Sequence, residues 1–254
     1  MASLKAKHSL FVDAINLYQK AYDADPEYDF IPIRIAMLYV ALSLYEEAIS
    51  YISHCVTAHY DNADRDDMIV HCFTASDDPY TIHQCSLLIE QSPDNDVYYS
   101  IRATLHKRTG NLAQALNDYN MAVALLPSNS EHKCQRGRLL LKLGRDNEAT
   151  DDLSSAAKDP QSAPLALLAL GKKDEAIASL DNDVSSLKDY TAARLFTLIG
   201  DYPKAIDHLR TALLTNGEAF CLFRSDADLA PLRDTQAYKD LISEIISTRN
   251  NINK

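Results

Sequence analysis

Residues Asn95 to Pro127 read NDVYYSIRATLHKRTGNLAQALNDYNMAVALLP, and this stretch decides the fold. Its first half predicts an amphipathic helix from Val97 to Arg108. Tyr99, Ala103 and His106 recur at steps of three and four residues, so they share one face. Gly110 ends that helix, because glycine accepts the left-handed conformation of a helix stop, and Lys107 and Arg108 suit the negative end of the helix dipole. A second helix is expected from Leu112 to Leu126, with Ala115, Tyr119 and Ala122 on its inner face. Pro127 follows, and proline cannot continue a helix. The small residues Ala103 and Ala115 allow two backbones to approach closely. A pair of short antiparallel helices leaves one apolar side uncovered, so such a unit needs neighbours.

The pattern recurs. Ala149, Leu153 and Ala156 lie 34 residues after Ala115, Tyr119 and Ala122. Gly144 repeats Gly110 and Gly137 repeats Ala103 at the same interval, and Pro93 precedes Pro127 by it. A period of this length with these landmarks resembles the tetratricopeptide repeat, whose pattern runs W-x2-L-G-x2-Y, then A-x3-F, then P. The matching residues are Tyr99, Arg102, Ala103 and His106, then Ala115 and Tyr119, then Pro127. Arg102 stands where the family prefers leucine, and His106 replaces its tyrosine. Copies of the second-helix half are spaced along the whole chain. The resemblance implies an all-α fold: a right-handed α-solenoid of about seven helix-turn-helix units over residues 1–219, closed by a capping segment over 220–254. The units fall near 1–28, 29–61, 62–94, 95–128, 129–160, 161–188 and 189–219.

Taken in order, repeat one is partial: Ala2 to Lys7 supplies the end of a first helix, and Ala14, Tyr18, Ala21 and Pro26 mark the second. Repeat two has helices at Ile33 to Leu42 and Tyr45 to Ala58. Repeat three is degenerate, with helices at Arg65 to Ala75 and Thr81 to Gln91 and a turn at Ser76-Asp77-Asp78-Pro79. Repeats four and five are the good copies. In repeat six, Gly171 and Ala176 follow Gly144 and Ala149 by only 27 residues. Seven missing residues are about two helical turns, so its first helix shrinks to Pro164 to Leu170, which should locally alter the groove. Repeat seven carries Ala193, Phe196, Gly200, Tyr202, Ala205, Leu209 and Ala212. Beyond it, FCLFRSDADLAPLRDTQAYKDL (Phe220 to Leu241) breaks period. A short turn at Asp228 to Arg233 and a helix from Thr235 to Thr248 are expected there. The segment resembles the ending of many bacterial members of the family and reads physically as a cap, which an end repeat needs to cover its apolar face.

Composition bounds the function. The 254 residues are 46% hydrophobic and 24% charged, as in a folded globular chain. Four of the six glycines (Gly110, Gly144, Gly171, Gly200) fall in one kind of turn, which fits a nearly all-helical chain. The net charge of −11 argues against a phosphate-backbone partner, hence no nucleic acid. The five cysteines form no CxxC pair or disulfide framework, and Cys55, Cys72 and Cys85 occupy inner helix slots, which favours a reducing compartment. No membrane-spanning run and no signal peptide are present, so the expected location is cytoplasmic, or periplasmic if a leader has been removed.

The sequence carries no recognisable catalytic or metal-binding pattern. His71-Cys72 and His83-Cys85 lack zinc-ligand spacing, and the cysteines fill core slots. His54 and His59 are five apart, off one helix face, and His132 and Cys134 lack two further ligands. No G-x-S-x-G, P-loop, HExxH or calcium loop occurs; Asp226 and Asp228 read as turn and helix-cap aspartates. The acidic pairs Asp66-Asp67 and Asp151-Asp152 read as solvated faces. No cofactor and no metal are expected, and the chain reads as non-enzymatic.

What remains is surface. In the family the first helices line a concave groove that holds a partner peptide. Carried onto this sequence, the groove slots are Ile33, Arg34 and Met37; Asp66, Asp67 and Val70; Ser100, Ile101 and Thr104; Cys134, Gln135 and Arg138; and Tyr190, Thr191 and Arg194. This describes a groove acidic near repeat three and basic toward Arg138, Lys142 and Arg194. The lysine and asparagine clamp of chaperone-binding members is replaced by Ser100 and Thr104, or by Cys134 and Arg138, which disfavours that route of chaperone-tail binding. The leading expectation is a scaffold for a peptide or helical segment of another protein. The alternatives are a self-assembling module, joined through repeat one and the apolar tail residues Phe220, Leu222 and Phe223, or the regulatory or targeting part of a larger enzyme or secretion-related assembly.

Overall fold

The computed structural model describes residues 2–25, 30–41, 44, 47–48, 51, 78–183, 188–215 and 226–252. Among them every regular element is helical. The chain forms two compact units, Met1–Thr109 and Gly110–Lys254.

In the first unit α1 spans Ala2–Ala24, α2 Phe30–Ala41, α3 Asp78–Gln91 and α4 Asp96–Arg108. The break expected between Lys7 and Ala14 does not occur. No glycine or proline stands there, and the run propagates as one 23-residue helix. Helix α1 packs on α2, around Ile15, Ile31 and Ile35 with Tyr18, Tyr22 and Tyr39 at the margin. Helix α3 packs on α4, and Cys85, Leu88, Tyr98, Ile101 and Leu105 join Ala36 and Ala48 in one core cluster. Two starts lie earlier than expected, at Phe30 and Asp78, because Pro32 and Pro79 are taken into the first turn. A proline is tolerated there, since its missing N–H would have had no partner. Repeat three's first helix, expected over Arg65 to Ala75, lies outside the described residues.

The second unit contains α5 (Leu112–Leu125), α6 (Ser130–Lys142), α7 (Asp146–Ala156), α8 (Ala163–Ala169), α9 (Lys173–Ser179), α10 (Lys188–Leu198), α11 (Tyr202–Thr215), α12 (Ala230–Arg233) and α13 (Gln236–Ile252). Helix pairs α6–α7, α8–α9 and α10–α11 pack as hairpins, and α5 packs on α6. The hairpin turns share one construction. Arg145 N–H donates to Leu140 O, Lys172 N–H to Leu167 O and Asp201 N–H to Phe196 O, each at 2.9 Å. Such six-residue closures satisfy carbonyls that a helix end leaves over. Each needs a left-handed residue, supplied for example by Gly144 at φ 72°. The shortened helix appears as α8, seven residues long, in contact with both α6 and α10.

The period also shows in two features that the family pattern does not contain. Asn95 and Asn129, 34 residues apart, both cap first helices: their side chains accept from Val97 N at 3.0 Å and His132 N at 3.1 Å. Such caps contribute about 1 kcal/mol each. Arg102 recurs as Arg136 at the same interval. Arg102 Nη1 donates to Ser86 Oγ at 3.0 Å, and Arg136 Nη1 to Asn120 Oδ1 at 3.2 Å, so each ties a first helix to the second helix before it. Arg136 also holds Asp152 through Nε at 2.6 Å and Nη2 at 2.7 Å. Of the pair expected to be solvated, Asp151 is exposed but Asp152 is buried against this fork.

Gly137 sits mid-helix where a Cβ would meet Leu153 Cγ at 2.7 Å and Ala149 O at 3.3 Å. Alanine would raise helix propensity by ~1 kcal/mol. The overpacking against α7 costs about 1–3 kcal/mol, because Leu153 is fully buried and must move with its neighbours. Packing wins, and Gly137→Ala is expected to lose ~1 kcal/mol net in urea denaturation. A stabilised variant would show that the hairpin can open to admit the methyl group.

Candidate functional site

The candidate groove residues have different fates. Asp66, Asp67 and Val70 lie outside the described residues, as do the side chains of Ile33 and Met37 on α2. Arg34 is exposed on α2. On α4, Ser100 and Thr104 are partly exposed, and the Thr104 hydroxyl donates to Ser100 O at 3.1 Å. Ile101, between them, is 4% exposed and belongs to the core cluster of the first unit. It shares a face with Tyr98 and Leu105, three and four residues away, and offers no surface to a partner. On α6, Gln135 is partly exposed and its amide donates to Glu131 Oε1 at 2.6 Å.

Of the remaining five, Cys134 and Thr191 are buried, and Arg138, Tyr190 and Arg194 come together. Arg138 is on α6, whereas Tyr190 and Arg194 are on α10, the first helix of the hairpin beyond short α8. Between them lies Asp228, in the helical turn Ala227–Leu229 that packs on α10. Arg138 forks onto it, Nη2 to Oδ1 at 2.6 Å and Nη1 to Oδ2 at 3.0 Å. Arg194 reaches Asp228 Oδ2 through Nη2 at 2.8 Å and Nε at 3.1 Å. Its Nε is also 3.1 Å from Asp226 Oδ2, which accepts from the Tyr190 hydroxyl. The Arg194 guanidinium lies over the Tyr190 ring, 5.6 Å from its centre. The side chains of Arg194, Asp226 and Asp228 are only 12–13% exposed.

The acidic segment holds its own shape. Asp226 Oδ1 accepts from Asp228 N at 2.8 Å, and Arg233 Nη1 donates to Asp226 O at 2.9 Å. Asp226 is thus the helix-cap aspartate expected from sequence, and Asp228 is an ion-pair residue as well. Leu229 and Leu232 are fully buried behind it.

Burial alone would lower the basicity of Arg194. The carboxylates of Asp226 and Asp228 outweigh it, so the guanidinium stays charged more firmly than a free one. At Arg138, too, burial is outweighed by Asp228. Burial, then the Asp226 charge, pushes the Tyr190 phenol well up, so it donates and does not ionise. Cys134, fully buried nearby, has its thiol pushed up to about 12, first by burial and then by the charge of Glu131. At pH 8 it is protonated, and a protonated buried thiol is a poor nucleophile. Peptide mapping after iodoacetamide treatment of the native chain at pH 8 should therefore find Cys134 unmodified, with alkylation only after urea. Rapid native labelling would contradict this burial.

No group of histidine, cysteine and carboxylate side chains suited to a metal occurs among the described residues. No described helix is long and apolar enough to cross a membrane.

No family model matches the sequence. The chain is 34% identical over 120 residues to mouse DnaJ homolog subfamily C member 3, covering 45% of this chain and 24% of that protein. The bovine protein of the same name is 32% identical over 120 residues, with the same coverage. The chain thus spans about a quarter of the length of these curated relatives. Among solved structures, yeast Tom70 aligns at 16% identity and a TM-score of 0.48, over 94% of this chain and 54% of that one.

Proposed function

We propose that this chain, an array of tetratricopeptide-type helical hairpins, is a non-enzymatic scaffold that holds a peptide or helical segment of another protein against its first helices. The observation that carries this reading is the division of labour along those helices. Tyr98, Ile101 and Leu105 on α4, and Cys134, Gly137 and Leu140 on α6, are buried. Ser100, Thr104 and Gln135 stay partly exposed and take no part in the core. On each helix the repeat packs with the first set and is free to vary the second, and recognition of a peptide segment uses such polar positions.

The test is affinity purification with quantitative mass spectrometry from the native organism. Wild-type chain is compared with a Ser100→Glu/Thr104→Glu/Gln135→Lys variant whose circular dichroism is unchanged. Specific partners recovered by the wild type should fall at least tenfold with the variant. Identical partner sets from both would remove the first-helix face from consideration.

A further inference from the structure

We propose that Arg138, Tyr190 and Arg194 form a recognition site for an acidic peptide whose two carboxylates are two residues apart. In the isolated chain this site is filled by its own Asp226-Ala227-Asp228. The inference deepens the scaffold reading above and rests on it.

Three observations carry it. First, the cradle is assembled by helices of two different hairpins, α6 and α10, and Arg138, Tyr190 and Arg194 all direct N–H or O–H groups at the carboxylate oxygens of Asp226 and Asp228. Arg138 forks onto both oxygens of Asp228, while Arg194 sets two N–H groups on one of them and also faces Asp226, so two cations meet two carboxylates; charge-assisted arginine contacts of this kind are strong and directional. Secondly, the geometry of the ligand is local. The cap from Asp226 to Asp228 N and the bond from Arg233 to Asp226 O are both contained within eight residues, so a separate peptide can bring the same shape. Thirdly, the hairpin between α6 and α10 begins with the seven-residue α8. The tail segment bridges the full-length first helices on either side of it. A partner segment with an Asp-x-Asp-Leu core would meet the same cations and the same apolar support, and the chain's own tail competes with it in cis.

The test uses the full chain and a fluorescent peptide, RSDADLAPLRDT, copied from residues 224–235. The Asp226→Asn/Asp228→Asn variant weakens the cis occupant. It should bind the peptide at least tenfold more tightly than wild type in fluorescence anisotropy. Adding Arg194→Gln should abolish that gain, and a peptide with both aspartates changed to asparagine should not bind. A second form keeps every cradle and ligand residue: a protease site placed between residues 219 and 222 of the wild-type chain lets the tail be cut from its tether. The nicked chain should exchange its tail for the labelled peptide, and the uncut chain should not. Peptide uptake by either form supports the proposal. If neither takes it up, whether folded or unfolded by the change, the contact is an end cap alone and the proposal fails. A concentration-dependent dimer removed by the aspartate substitutions would make a second copy's tail the occupant and also overturn it. Failure here with continued loss of partners from the Ser100/Thr104/Gln135 variant leaves the scaffold reading standing; the reverse result leaves only the cradle.

Discussion

Asp228→Ala is expected to lower the melting temperature of the second unit by about 6–20 °C. The carboxylate neutralises two guanidinium groups at once, with Arg138 20% and Arg194 13% exposed. Removing it leaves both cations in a poorly hydrated place beside each other. Breaking a buried pair from one side costs about 3–5 kcal/mol, most of it the uncompensated charge that stays behind. For a unit of this size each kcal/mol moves the midpoint by about 2–4 °C. Asp226 remains on Arg194 and offsets part of the loss, whereas Arg138 loses its bidentate fork on Asp228. The control follows from the same physics. Arg138→Met/Arg194→Met/Asp226→Asn/Asp228→Leu removes all four charges and nearly keeps the volume, so it should recover most of the stability, because neutral replacements of a whole buried ionic group are often neutral or better. If Asp228→Ala melts within 2 °C of wild type, the carboxylate is hydrated in solution and the ion-pair account is wrong.

That cluster also shows where sequence reading stops. The turns were legible because glycine at a left-handed position is a local requirement, repeated at Gly110, Gly144, Gly171 and Gly200. The inner slots were legible because Ala115, Tyr119 and Ala122 recur as Ala149, Leu153 and Ala156 with the same burial. The shortened α8 followed from a 27-residue step in a 34-residue period. Local rules and periodicity cover all of these. Asp228 meets Arg138 from 90 residues away and Arg194 from 34, and no local rule links them. A hint was present: Arg138 and Arg194 occupy equivalent slots of their repeats, and an Asp-x-Asp segment waits in an otherwise aperiodic tail. Arg102 was misleading for the opposite reason. Read alone it departs from a leucine slot, but with Arg136 one period later it is a second, polar repeat rule. The unbroken α1 reflects a limit of pattern matching itself. The repeat template asked for a break, and the residues between Lys7 and Ala14 contain nothing that makes one.

Leu153→Ala should be the costliest single truncation in the α6–α7 hairpin, at about 2–5 kcal/mol in chemical denaturation. Leu153 is fully buried, and its Cγ lies 2.7 Å from where a Cβ on Gly137 would stand. Gly137 brings α6 so close that the leucine fills the space a side chain would take. The two positions therefore share one volume, and truncating Leu153 opens a cavity bordered by bare backbone, which has no side chain of its own to relax into it. Gly137→Ala in the wild type is destabilising because that volume is full. In the Leu153→Ala background the same methyl enters an empty space and regains the helix propensity that glycine lacks. The double variant should therefore be more stable than Leu153→Ala alone, and the coupling between the sites should be at least ~1 kcal/mol in a double-mutant cycle. Additive effects would mean that the helices move together when Leu153 is shortened, so that close approach at Gly137 is a consequence of packing on α7 and not its cause.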